Sequence, residues 1–87
     1  MSDPNEVIGQ CIEMLDRIIN DNSVPRNIRR VADTAKKELM SDESPPSQRA
    51  VSTIPMLDEI TNDPNIPIHT RTLLWSIVSL LEGIPIE

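Results

Sequence analysis

Five of the chain's eight basic residues fall within twelve positions: Arg26, Arg29, Arg30, Lys36 and Lys37. Guanidinium and ammonium groups gathered in this way can contact phosphate or an acidic protein surface. Helical spacing places most of them opposite an apolar stripe, as one basic band on a chain of net charge −6. Arg26, Arg30, Lys36 and Lys37 are therefore expected to form a partner surface. The bland alternative is a solvated helix face whose two lysines favour the negative C-terminal end of their helix. Nucleic acid is a disfavoured ligand, because the chain holds no Phe, no Tyr and a single Trp to stack on unpaired bases.

Other candidates for chemistry are weaker. Asn20-Asp21-Asn22-Ser23 and Asn62-Asp63-Pro64-Asn65 suggest cation ligands, but neither stretch has the glycine turn and distant Glu of a calcium loop. Turns that cap helices explain them better. His69 has no second His or Cys at zinc-ligand spacing, and nothing marks a nucleophile beside it. Cys11, the only cysteine, lies among Val7, Ile8, Ile12 and Leu15 and reads as a buried small hydrophobe. Gly9 and Gly83 are the only glycines, so no glycine-rich loop can cradle a phosphate. The expectation is a protein without catalytic, metal-binding or cofactor-binding residues, and not an enzyme.

The elements that carry these residues are repeated. Residues 12–29 and 54–71 match at nine of eighteen positions, at an offset of 42 that stays in register downstream. A period near 40 residues marks repeated helical hairpins. The repeat copies run over about residues 4–42 and 46–84 of a single domain, 1–87, and the fold class is all-α: a four-helix bundle of two hairpins.

Helices are expected at 4–20, 24–41, 46–62 and 66–82. Asp3 can cap the first, with Pro4 in its first turn and Glu6 completing a capping box. Ser23 is the expected cap of the second, with Pro25 in its first turn. The third is expected to carry Ala50, Val51, Ile54, Leu57 and Ile60 inward, and to kink or break near Pro55, which removes a hydrogen bond and clashes with the preceding turn. Gly83 offers a left-handed end to the fourth. Arg29 and Arg71 occupy equivalent places in the two copies, with Asp16 or Asp21, and Asp58 or Asp63, upstream. A salt bridge or loop-capping contact inside each hairpin is expected, a structural role for Arg29, Arg71, Asp21 and Asp63.

The copies disagree most on the outer face of each second helix. Asp33, Lys36 and Glu38 stand opposite Trp75, Val78 and Leu80. The helix containing the latter is apolar on most sides, apart from a strip of Thr72, Ser76 and Ser79, and such a helix is buried on most sides. Either this helix runs through the centre of the monomer, or its extra face meets another chain; the second is the expectation, with Trp75 and Val78 as a self-association face of a homodimer. No charged-then-apolar leader opens the chain, and the longest apolar stretch, residues 73–81, is too short to cross a bilayer. A cytoplasmic location, away from membrane, is expected.

The segments Asp21–Ala32 and Asp63–Trp75 resemble HEAT-type helical repeats. The opening helix, both Asn-Asp-x-x-Val/Ile-Pro-x-x-x-Arg stretches and the run Arg71-Thr-Leu-Leu-Trp-Ser-Ile-Val-Ser-Leu-Leu-Glu82 resemble uncharacterised protein family 0147, short archaeal proteins, over essentially the whole chain. That resemblance implies a compact helical domain and supplies no activity for any residue. The expected function is a small non-enzymatic helical adaptor or assembly module with a protein partner. The alternative is an accessory RNA- or ribosome-associated protein using the basic face of the second helix.

Overall fold

A proline stands at the start of every helix. The structure is a computed structural model that describes residues 3–86. It contains α1 (Pro4–Ile19), α2 (Arg26–Met40), α3 (Pro46–Thr61) and α4 (Ile68–Glu82). Asp3 caps α1, its carboxylate accepting from the Asn5 N–H at 2.8 Å, with Pro4 just inside. Glu6 makes no reciprocal bond among the described residues, so the capping box is half formed.

The other three helices begin on Pro25, Pro45 and Pro67. Each of these prolines is extended, with ψ near 150°, and so lies just outside its helix. Its carbonyl accepts the N–H groups three and four residues on, at 3.1 Å in every case. The fixed φ of the ring suits this position, and its missing N–H costs no helical bond. Helices two and four consequently start at 26 and 68, two residues later than the pattern predicted. Ser23 does not cap α2: its N–H and hydroxyl both donate to Asp21.

Helix α3 runs unbroken from Pro46 to Thr61, so of the expected kink or break near Pro55 the break does not occur. Pro55 and Val51 both lie on the exposed side. The carbonyl deprived of its partner therefore belongs to a solvent-facing residue, and Val51, 63% exposed, is not a core residue as expected. Gly83 ends α4 in the right-handed region (φ −78°), not the left-handed one, its N–H reaching the carbonyls of Ser79 and Leu80. Among the described residues no backbone has positive φ.

Short loops turn each helix back along its predecessor. Each packs against the next, α4 closes on α1, and α1 also touches α3 across the centre, whereas α2 and α4 do not meet. Leu15, Ile18, Ile28, Leu39, Leu57, Leu74, Ile77 and Leu81 fill the core, and Ala32 and Ala35 let α2 approach its neighbours closely. Val24 and Ile66, the hydrophobic pair in the two repeated loops, plug one end of the bundle. Cys11 is fully buried beneath the Ile77 carbonyl, and burial pushes its thiol up to about 11. Among the described residues no helix is long and apolar enough to cross a membrane.

Replacing Pro55 with Ala restores a helical hydrogen bond on an exposed face and should stabilise the protein by about 1–3 kcal/mol, read from urea unfolding. A loss of stability would mean that the proline supports α3 and is not merely tolerated there.

Candidate functional site

Two surfaces compete for a functional role: the basic part of α2 and the outer face of α4. Both are positioned by the corners between helices. In the α1–α2 corner, the Asn20 amide donates to the Asp16 carbonyl at 2.9 Å, and the Asp21 carboxylate accepts the Ser23 N–H at 2.9 Å. In the α3–α4 corner, Asn62 and Asp58 repeat the first contact at 3.1 Å, and Asp63 and Asn65 the second at 2.8 Å. The Asn-Asp stretches are thus two copies of one side-chain-closed turn. Among the described residues no group of three or more His, Cys, Asp or Glu gathers where a metal could bind.

Arg71 donates from Nε to the Thr61 carbonyl at 3.2 Å and from Nη2 to the Asp63 carbonyl at 3.0 Å. This is a loop-capping contact in which the guanidinium satisfies carbonyls left open where α3 ends. Arg29, at the equivalent place, makes no side-chain hydrogen bond among the described residues, and its Nε is enclosed without a partner. Among the described residues neither arginine forms the salt bridge considered for it. The third corner holds a residue that the repeat did not reveal: Arg49, only 7% exposed, donates from Nη1 to the Leu39 carbonyl at 2.7 Å. The pattern Pro25-x-x-x-Arg29, Pro45-x-x-x-Arg49 and Pro67-x-x-x-Arg71 would have pointed to it, since each arginine stands fourth in its helix.

The basic band is shorter than its spacing suggested. Lys36 is half-buried and pairs with Asp16 of α1 at 2.7 Å, while Lys37 pairs with Asp33 one turn back at 3.0 Å. Arg26 and Arg30 are exposed and, with Arg29, Ile19, Asp33 and Thr34, line an open-mouthed concavity of about 480 Å³. Asp21 also bridges the two hairpins: its Oδ2 lies 2.7 Å from His69 Nε2. Hydrogen bonds from the Ser23 hydroxyl, His69 and the Ser23 N–H hold the Asp21 carboxyl down to about 2.

On α4, Trp75 is 59% and Ile68 80% exposed. Val78 is not beside them. It is buried in the core, because position 78 faces the neighbouring helix just as Lys36 does in the first copy. The outer strip instead joins Ile68 and Trp75 to Thr72, Ser76 and Ser79. Next to it, Pro4, Val7, Leu80, Ile84 and Pro85 frame an apolar cleft of about 260 Å³ between α1 and the end of α4.

Fold and corners together define a small all-helical protein built from paired hairpins, with two chemically distinct outer faces. The chain belongs to the uncharacterised protein family UPF0147, whose model matches residues 1–84. It is 49% identical over 86 residues to a UPF0147 protein of Methanosarcina acetivorans, covering 99% of this chain and 89% of that one. It is 51% identical over 81 residues to the UPF0147 protein MJ1419 of Methanocaldococcus jannaschii, covering 93% and 87%. The fold superposes on the crystal structure of MMP1188, a protein of unknown function, with a TM-score of 0.90 at 46% identity, covering 95% of this chain and 94% of that one. A second crystal structure, of a UPF0147 protein from Thermoplasma acidophilum, gives 0.83 at 37% identity, covering 90% and 92%.

Removing Arg49 strands a buried carbonyl, so Arg49→Ala should cost about 2 kcal/mol, Arg71→Ala about 1 kcal/mol, and Arg29→Ala less than either. Thermal unfolding of the three variants checks that order. For Asp21, the folded carboxyl titrates below its ordinary value of 3.8. Its contribution is therefore present above pH 3.8 and lost as pH falls towards 2. Asp21→Asn should melt lower than the native protein at neutral pH, with the gap narrowing across that window. A gap independent of pH would show that the charge is immaterial.

Proposed function

We propose that this protein is a small helical assembly module that works through protein–protein contacts, and that its first contact is with a second copy of itself through α4. The observation that carries this reading is the exposure of Trp75 and Ile68 on one helix face, joined by small polar side chains. A half-exposed Trp is costly to leave in water and is a preferred anchor at the centre of interfaces. Thr72, Ser76 and Ser79 leave the backbone approachable, so two α4 helices can lie close together. The apolar cleft framed by Pro4, Val7 and Ile84 extends the same side of the molecule.

The alternative, an RNA- or ribosome-associated role for the basic face of α2, draws less support. Lys36 is half-buried against Asp16 and the exposed Lys37 is paired with Asp33, which leaves Arg26 and Arg30 as the exposed cations of the band with no carboxylate partner among the described residues. A net charge of −6 opposes a long polyanion.

Trp75 supplies its own assay, because the chain has no other aromatic fluorophore. With increasing protein concentration its emission should shift to shorter wavelength while light scattering rises from 9.8 kDa to twice that mass. Trp75→Glu should remain monomeric and folded. A native protein that stays at monomer mass to millimolar concentration, with unshifted emission, would rule out the self-association.

A further inference from the structure

We infer that the concavity formed by Arg26, Arg29 and Arg30 is a binding site for a single phosphate group on a small carrier. The contrast between equivalent arginines is the basis. Arg71 spends its guanidinium on two carbonyls and Arg49 spends Nη1 on one, whereas Arg29 has no acceptor among the described residues. Arg29 is half-buried and lines the concavity; its Nε is enclosed without a partner, as is that of Arg49, but unlike Arg49 it has no nitrogen bonded to an acceptor among the described residues. A partly desolvated guanidinium without an acceptor is in deficit, and an anion that brings several oxygens corrects it.

Arg26 and Arg30 line the same concavity, so three guanidinium-bearing side chains border one space, a donor set suited to the tetrahedral oxygens of phosphate. Asp33 lies on that wall too, and Lys37 at 3.0 Å offsets its charge. Thr34 does not add a free donor: its hydroxyl is directed to the Arg30 carbonyl at 3.1 Å. The volume, about 480 Å³, exceeds what one phosphate needs and leaves room for the group that carries it. The net charge of −6 disfavours a long polyanion and selects a compact ligand. The second copy lacks the site, because its equivalent positions are Ile68, Arg71 and Thr72, with Arg71 already engaged. None of this depends on self-association through α4.

The test is a nitrogen-15 NMR titration of the full chain with inorganic phosphate and with phenyl phosphate, at ionic strength held constant with chloride. Saturable shifts at the Arg29 Nε–H and at the amides of residues 26–30 are expected. Arg26→Gln/Arg30→Gln changes only exposed side chains and should weaken binding about tenfold or more while leaving the rest of the spectrum in place. Trp75→Glu should bind phosphate as the native chain does, which separates this site from the α4 interface. Linear shifts spread over the surface, or equal binding by the double variant, would overturn the proposal. So would binding of a single-stranded RNA oligomer without binding of either phosphate compound, since the surface would then be reading a chain of charges.

Discussion

Carbonyls exposed where a helix ends must find donors, and this small bundle meets that demand with arginine. At two corners the following helix sends a guanidinium back to the end of the preceding one: Arg49 to Leu39, and Arg71 to Thr61 and Asp63. Arginine reaches these acceptors only because its helix starts in a fixed place. Pro45 and Pro67 set that place, and the arginine four residues on reaches the preceding helix end. Packing follows from the corners: they set where each helix enters, and the aliphatic side chains between them fill the space enclosed.

Against that common frame, the differences between the two hairpins carry the chemistry. Position 36 holds a lysine that crosses to Asp16, and position 78 a valine packed into the core. Both face the neighbouring helix, so one interhelical contact is ionic and the other apolar. Positions 26, 30 and 33 are charged, and their equivalents at 68, 72 and 75 are Ile, Thr and Trp. One backbone design therefore displays an arginine-lined hollow on one second helix and an exposed apolar strip on the other.

Much of the fold was legible in the sequence, because amphipathic spacing and capping chemistry are local signals. Four helices, the burial of Cys11, the Asp3 cap and the paired Asn-Asp turns all follow from neighbours in the chain. What escaped depended on direction in space. Pro55 reads as a helix breaker, yet it is accommodated on a face where water can replace the missing donor. Val78 reads as surplus apolar surface, but periodicity alone could not say that its position turns inward. Lys36 counted towards an exposed band until Asp16, twenty residues away, claimed it. Arg49 was hidden because its corner joins the two copies and so has no counterpart in the repeat; only its spacing from Pro45 marks it.

The order of helices around the bundle has one more consequence. Helices α2 and α4 sit at opposite corners, separated by the contact between α1 and α3. A pair of molecules joined along α4 would hold both arginine hollows clear of the junction. Such a pair would be bivalent, gripping two ligands carried on one scaffold with the avidity of a tethered second encounter. The diagonal that keeps the two faces apart would then be what allows a chain of 87 residues to serve as a connector.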